Sequence, residues 1–210
     1  MQLESNLINA YSEAYRLALE KLRKCDAQEV CLNSRAIYEE QTNTYILKYF
    51  GMEYKIDCIG GEVSPKKGNN ELSMTERVLM LHYLIHAKPK PLRGTYISFI
   101  EVLGGGAIYY STFKKRAIDP LVKVFSDNIQ AFERAAYALF GNREKFGTKS
   151  FTINAFPLVP VTFVLWQGDD ELASSGTILF DASISEFLPV EDIVLVASFG
   201  AYKLIGFKDI

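Results

Sequence analysis

Two apolar stretches in the C-terminal third of this chain each lead into acidic residues. Residues 159–166 are strongly apolar, end on the only tryptophan, Trp166, and precede an acidic turn that contains Asp169. Residues 178–180 are also apolar and lead directly into Asp181. Polar groups at strand ends above a hydrophobic floor form many binding and catalytic sites. Trp166, Asp169 and Asp181 are therefore candidate site residues.

The same acidic residues offer a weak candidate metal site. Asp181 and Ser183 belong to an Asp-x-Ser-x-Ser pattern, in which a carboxylate and hydroxyls supply the oxygen ligands that Mg²⁺ prefers. Asp169 and Glu171 would add carboxylates to this set. Short polar side chains after a strand more often cap or turn the chain. We therefore predict no resident metal and keep these four residues as weak candidates.

A second candidate region begins with three glycines at 104–106. Glycine lets the backbone approach a ligand closely, and backbone amides with nearby cations hold anions at helix starts. Tyr109 and Tyr110 follow, with Arg116 in a basic run. We expect these tyrosines and Trp166 to stack on a flat ligand and Arg116 to pair with its anionic group. A glycine bend beside a solvated basic helix face is the alternative, because the phosphate-loop spacing is absent.

The two histidines, His82 and His86, lie one helical turn apart, which is a metal-ligand spacing. The glutamate of the H-E-x-x-H zinc motif is missing. His82 shares the apolar face of its predicted helix with Val78 and Ile85. A hydrogen-bonded core histidine is therefore the favoured interpretation.

Bulk composition excludes several classes of protein. The 210 residues are 49% hydrophobic and 23% charged, as in globular domains that bury their own core. The formal net charge of −2 argues against nonspecific nucleic-acid binding, which needs a basic surface, and leaves only a local basic patch open. No apolar run approaches the ~20 residues of a membrane helix, and the N-terminus lacks a signal-peptide pattern. We therefore expect a cytoplasmic protein that binds neither nucleic acid nor membranes.

Cys25, Cys31 and Cys58 are an odd number of cysteines without a C-x-x-C pair. This usage fits a reducing cytosol better than a disulfide framework. Three thiolates also fall short of the four that an iron–sulfur cluster usually takes. Buried or incidental thiols are the favoured interpretation.

Periodicity predicts the elements that position these residues. Hydrophobic spacing indicates an amphipathic helix over 3–22, and Asp26 is placed to cap a short second helix. Alternation across 36–63 predicts an antiparallel meander of about three strands. Ser73 and Glu76 form a capping-box pattern at the start of a helix that reaches about Ala87. Further helices are predicted over 113–125, 129–140 and 189–205, and further strands over 95–100, 150–156, 161–166 and 177–180.

The order of elements is helix, strands, helices, strands, helix. It lacks the regular β–α alternation of a doubly wound fold. We therefore predict an α+β fold with antiparallel sheets and about five helices. A single domain is expected over residues 1–210, with a subdivision, if there is one, near the polar loop 64–72.

Several segments recur together as a family pattern: 81–84, 94–99, 104–110, 120–121, 165–171, 179–183 and 188–192. Across roughly residues 10 to 205, this pattern resembles domain-of-unknown-function family 3786, found largely in anaerobic bacteria and archaea. Some members carry an added cysteine-rich iron–sulfur module of a kind also seen in corrinoid proteins. The resemblance thus implies an iron–sulfur or corrinoid protein partner, although this chain lacks those cysteines. It supplies no catalytic residues.

Three functions are consistent with these patterns. The leading one is a small-molecule or cofactor-binding accessory protein of anaerobic metabolism, whose pocket is lined by Tyr109, Tyr110, Arg116, Trp166, Asp169 and Asp181. One alternative is a metal-assisted hydrolase that uses Asp169, Glu171 and Asp181. The other is a protein-interaction module with exposed aromatic anchors. The sequence identifies neither the ligand nor a cofactor.

Overall fold

The computed structural model describes residues 2–209, and the side chains of residues 10–209. Within this range the chain forms seven α-helices, more than the five or so expected. They are α1 (Gln2–Leu22), α2 (Ala27–Ser34), α3 (Met74–His86), α4 (Gly106–Phe113), α5 (Asp119–Phe125), α6 (Ile129–Ala138) and α7 (Val190–Gly206). Within the same range, no helix is both long and apolar enough to cross a membrane.

The strands form two antiparallel sheets, which confirms the predicted α+β class. Sheet A has the order β1-β2-β3-β4 and sheet B the order β5-β9-β8-β7-β6. The strands of sheet A are β1 (Ile37–Glu39), β2 (Thr44–Tyr49), β3 (Met52–Asp57) and β4 (Val63–Pro65). Those of sheet B are β5 (Tyr96–Ser98), β6 (Asn142–Arg143), β7 (Lys149–Phe156), β8 (Val159–Trp166) and β9 (Ser175–Asp181).

Local capping signals in the sequence proved accurate. The Asp26 carboxylate accepts the Glu29 N–H at the start of α2, as predicted. The predicted capping box of α3 is confirmed, because Ser73 and Glu76 each accept the backbone N–H of the other. The meander gains one strand beyond the three expected, since β4 pairs with β3.

The helix predicted over 113–125 was wrong at its start. It begins at Gly106 as α4 and passes through a wide π-helical turn, Lys114–Ile118, into α5. Pro120 lacks an N–H and would clash with a carbonyl in an ordinary α-helix. The wide turn relieves this conflict, because the Asp119 N–H donates to the Lys114 carbonyl, five residues back. Similarly, the strand predicted over 95–100 ends at Ser98 and continues as a 3-10 turn.

The two sheets meet at the turn between β2 and β3. Phe50 and Gly51 form this two-residue turn, with φ angles of 46° and 79°, as in the type I′ turns that suit twisted hairpins. The Phe50 N–H donates to the Ala155 carbonyl of β7 over 2.9 Å. Phe50 is itself buried. This hydrogen bond therefore attaches the β2–β3 turn of sheet A to the end of β7 in sheet B.

Helix α7 packs closely over this junction. A Cβ built at Gly200 would lie 2.5 Å from the Phe163 ring of β8 and 3.2 Å from the Phe50 ring. The first distance is much shorter than an ordinary contact between carbon atoms, and the second is at the lower limit of such contacts. The helix backbone can approach both sheets only because residue 200 has no side chain.

We predict that Gly200→Ala destabilises the protein, whereas Gly206→Ala, in the same helix, does not. Overpacking at Gly200 should lower the free energy of unfolding by about 1–3 kcal/mol. A Cβ at Gly206 meets no atom within 4 Å, so that variant should change stability by less than about 1 kcal/mol. Urea denaturation followed by circular dichroism measures both. Equal stability of the two variants would contradict the close packing at Gly200.

Candidate functional site

The strand register separates two of the residues predicted to share a pocket. Trp166 pairs with Ser175 at the start of β9, whereas Asp181 pairs with Tyr96 at the end of β9. Six residues of extended strand correspond to about 20 Å. Trp166 and Asp181 therefore lie at opposite ends of sheet B and do not line one small pocket.

Tyr109 and Tyr110 lie on the other side of sheet B from Asp181. Phe180 packs against Phe113 of α4, with ring centroids 6.0 Å apart, and successive strand residues face opposite sides of a sheet. Asp181 instead lines a cavity of about 200 Å³ together with Thr162 on the opposite face. The pocket expected from the sequence is thus divided between the two faces of sheet B.

The remaining details of this set favour local roles. The Tyr109 hydroxyl lies 3.5 Å from a carboxylate oxygen of Glu191, on α7. Tyr110 packs against the ring of Phe113. Arg116 is exposed on the π-helical turn. The Tyr109 contact joins α4 to α7, whereas the Tyr110 contact lies within α4.

Asp169 organises its own turn. Its carboxylate accepts the backbone N–H groups of Glu171 and Leu172, each over 2.9 Å. These bonds, that from Leu172 first, hold the pKa of the Asp169 carboxyl below its ordinary value. The residue is exposed. The acidic turn is therefore stabilised by hydrogen bonds from its own backbone to the Asp169 carboxylate.

Asp181 joins a loop to the end of β9. Its buried carboxylate accepts the backbone N–H groups of Arg93, Gly94 and Ser183 over 2.7–2.9 Å, and also the Ser183 hydroxyl. Burial raises the pKa of Asp181, but the hydrogen bonds, led by that from Ser183, outweigh it and leave the pKa lowered. Within the described residues, no group of three or more His, Cys, Asp or Glu side chains is placed to hold a metal ion.

A different cavity combines aromatic walls with a cation. Its volume is about 480 Å³, within the usual range for small-molecule pockets. It opens between sheet A, the C-terminal ends of α6 and α7, and the loop that precedes α3. Its lining includes the apolar residues Tyr49, Phe50, Tyr54, Leu139, Phe140 and Phe207, and the polar residues Asn69, Asn70, Glu71 and Lys203.

The cation at this cavity, Lys203, is fixed by a buried carboxylate. Its Nζ lies 3.0 Å from Oε1 of Glu76, and the Tyr49 hydroxyl donates to the same oxygen over 3.3 Å. The other oxygen accepts the N–H and the hydroxyl of Ser73, each over 3.0 Å. Burial, and then the Glu76 carboxylate, raise the pKa of Tyr49 well above its ordinary value. Tyr49 therefore stays protonated and acts as a donor.

Lys203 keeps hydrogen-bonding capacity for a ligand. An ammonium has three N–H donors, and Glu76 is the only described ion-pair partner of Lys203. The Nζ also lies 5.1 Å from the centre of the Tyr49 ring and 5.6 Å from that of Phe50, within cation–π range. The ammonium is thus positioned by its surroundings and still lines the cavity.

Phe140 forms an unusual wall of this cavity. It follows α6 with a left-handed φ of 57°, and the Gly141 N–H closes the helix end onto the Ala136 carbonyl over 2.8 Å. Glycine usually occupies this left-handed position, because a side chain there costs about 1–2 kcal/mol. Phe140 is nevertheless 69% exposed. Full burial of the ring therefore does not offset the backbone strain at Phe140.

The ring of Phe140 lies against Gly51 and divides two cavities. A Cβ at Gly51 would come within 2.4 Å of the ring. Beyond the ring lies a second cavity of about 310 Å³, which Lys48 and Asn154 help to line. Strained, exposed residues that persist at a cavity are a reason to infer function.

Sequence patterns did not reveal this cavity. Tyr49 and Tyr54 fit the alternation of strands, and Lys203 fits the polar spacing of a helix, so each had an ordinary structural interpretation. The chain has four Phe-Gly dipeptides, at 50–51, 140–141, 146–147 and 199–200, and the sequence alone does not single out the first two. Those two mark backbone reversals that meet at the cavity.

His82 is hydrogen-bonded, as the favoured interpretation predicted, but it is half-buried and does not lie in the core. Its Nδ1 lies 2.7 Å from Oδ2 of Asp192, a buried residue in the first turn of α7. The cysteines are free thiols. Burial raises the pKa of Cys31, and it raises that of Cys58 to about 11, so both are protonated at neutral pH.

We predict that Asp181→Asn destabilises the fold by about 1–3 kcal/mol at pH 7, because an amide cannot accept all four hydrogen bonds without leaving donors unpaired. The lowered pKa of Asp181 means that its stabilisation is present above the unfolded-state pKa, near 4, and is lost as the pH falls through the folded-state value. Urea denaturation at pH 7 and near pH 3 should show a smaller difference between the two proteins at acid pH. A constant difference would exclude this role of the carboxylate.

Comparison with known proteins places the chain in one family and provides no characterised relative. No curated protein and no solved structure matches it significantly. The model of one family, the domain of unknown function DUF3786, matches residues 26–203. This match covers most of the chain and both sheets, and it confirms the resemblance seen in the sequence motifs. The chain therefore belongs to the DUF3786 family.

Proposed function

We propose that this protein binds a small planar organic molecule in the cavity lined by Tyr49, Tyr54, Phe140 and Lys203. The rings would contact the flat surface of the ligand, and Lys203 would donate to an acceptor group such as a carbonyl, ring nitrogen or sulfonate. Since Glu76 already balances the charge of Lys203, the acceptor need not carry a full negative charge. Aromatic stacking on a flat ligand is the chemistry expected from the sequence, supplied by different residues, whereas the anionic group expected opposite Arg116 is not required.

One observation carries the proposal: a strained, exposed aromatic ring forms a wall of the cavity. Glycine at position 140 would remove the strain, and a polar residue would suit the exposure. A phenylalanine that satisfies neither criterion is explained by a contact with a molecule that enters the cavity. The side-chain amides of Asn69 and Asn70 at the rim add polar partners for its edges.

The cellular setting is part of the proposal. An accessory role in an anaerobe, beside an iron–sulfur or corrinoid protein, is what the family resemblance implies, and a cytoplasmic setting is what the cysteine usage favours. Native mass spectrometry of the protein, purified without oxygen, would detect a ligand retained from such a setting.

The proposal predicts that the protein binds anilinonaphthalene sulfonate, a probe with a flat naphthalene ring and a sulfonate acceptor, and that Phe140→Ala weakens this binding. Loss of one aromatic contact should cost about 1 kcal/mol, or roughly a fivefold rise in Kd. A fluorescence titration of the folded protein measures the change.

Trp166→Ala is the matched control, since Trp166 is also an exposed aromatic residue, at 43% exposure. It should leave the Kd unchanged. Weaker binding in Trp166→Ala together with normal binding in Phe140→Ala would move the site to the surface first predicted from the sequence. A double variant, Glu76→Gln/Lys203→Met, should also weaken binding, and it leaves no buried charge unpaired.

Substitutions at residue 140 should affect the stability of the protein differently from its binding of the probe. We predict that Phe140→Gly is more stable than Phe140→Ala by about 1 kcal/mol, because only the alanine retains a Cβ in the left-handed conformation. Both variants lack the ring, so both should bind the probe equally weakly. Urea denaturation of the two variants tests the backbone strain separately from ligand contact. Equal stabilities would remove strain as an argument for function.

A further inference from the structure

The surface where α3 meets α7 carries both histidines of the chain. His82 and His86 occupy successive turns of α3, and their ring centroids lie 5.8 Å apart with the ring planes nearly perpendicular. The Nδ1 atom of His82 is bonded to the buried carboxylate of Asp192. The His82 side chain is 29% exposed, and His86 lies on the surface. Both rings are therefore accessible from solvent.

The contact with Asp192 prepares His82 to act as a metal ligand. When Nδ1–H donates to a carboxylate, Nε2 is left unprotonated and carries the lone pair that a metal binds. Metal-bound histidines commonly have such a carboxylate behind them. Because a metal–nitrogen bond is about 2.1 Å long, two imidazoles that share one tetrahedral ion have ring centroids about 5 Å apart. The observed 5.8 Å is slightly longer, and a small rotation of the exposed His86 ring would close the difference.

We propose that His82 and His86 bind one transition-metal ion through their Nε2 atoms, with Asp192 as the positioning residue of His82. Two histidines fill only part of a coordination sphere. Since the described residues offer no cluster of three or more His, Cys, Asp or Glu ligands, water or a molecule from solution takes the other positions. Such an open site suits labile binding of an ion, or its use as a Lewis acid.

The surroundings select the class of ion. Lys21 and Lys88 are cationic neighbours of His86, and Asp192 is the carboxylate that His82 contacts. Mg²⁺ and Ca²⁺ require several oxygen ligands, and the described residues place no group of three or more His, Cys, Asp or Glu side chains here. Ni²⁺, Cu²⁺ and Zn²⁺ accept imidazole ligands readily. We therefore assign the site to these ions.

This proposal is independent of the proposed ligand cavity. Neither histidine belongs to the lining of that cavity, and the two sites share no residue. Failure of metal binding would leave the binding of the planar probe unaffected, and failure of probe binding would leave the metal site unaffected.

The test is calorimetric titration of untagged, chelator-treated protein with Ni²⁺ and, separately, Zn²⁺. We expect one ion per chain. His86→Ala, a surface change, should raise the Kd at least tenfold. Asp192→Asn should raise it roughly 10–100-fold, as is typical for loss of a carboxylate behind a ligand histidine. Circular dichroism establishes that each variant is folded.

The three thiols are the competing ligands, so the matched control is Cys25→Ser/Cys31→Ser/Cys58→Ser. This variant should bind both ions as the native chain does. The proposal is overturned by no binding by the native protein, by unchanged binding by His86→Ala, or by loss of binding in the serine variant. Unchanged binding by folded Asp192→Asn would also overturn it, because Asp192 would then not position His82 for metal binding.

Discussion

The carboxylate of Glu76 is buried at the start of α3, and the hydrogen bonds and the ion pair that it makes join three parts of the fold. An unpaired charge in this position would cost several kcal/mol. Its partners come from the α3 cap (Ser73), from sheet A (Tyr49) and from α7 (Lys203). Two of these three also line the cavity of 480 Å³. The bonds that hold the elements together are thus the bonds that shape the candidate site.

A set of stacked rings extends this connection into sheet B. Tyr83 of α3 stacks on Phe156 of β7, with ring centroids 4.3 Å apart and planes within 5° of parallel, and Phe156 in turn contacts Tyr49. The Tyr83 hydroxyl donates to the Ser34 carbonyl and accepts the Leu158 N–H. This hydroxyl therefore joins α2, α3 and the β7–β8 turn. A cavity floor fixed at so many points is pre-organised, which lowers the entropic cost of binding.

Local features of this fold could be predicted from the sequence, whereas the site could not. The caps at Asp26 and Ser73, most of the helix and strand positions and the α+β class depend on neighbouring residues. Pocket membership depends on strand register, and the antiparallel pairing of β9 places Trp166 and Asp181 about 20 Å apart. Conversely, Tyr49, Phe140 and Lys203 converge only because the Phe50 turn docks sheet A onto β7. No local pattern encodes that contact.

Backbone geometry, more than burial, determines where the Phe140 ring lies. An exposed side chain usually samples several rotamers, and ordering it on ligand binding carries an entropic cost. Here a left-handed residue after α6 points the ring toward a turn whose glycine leaves room for it. The strain is stored in the backbone when the chain folds. The ring lies against Gly51, and under the proposed function a residue that weakens the fold would strengthen binding at its surface.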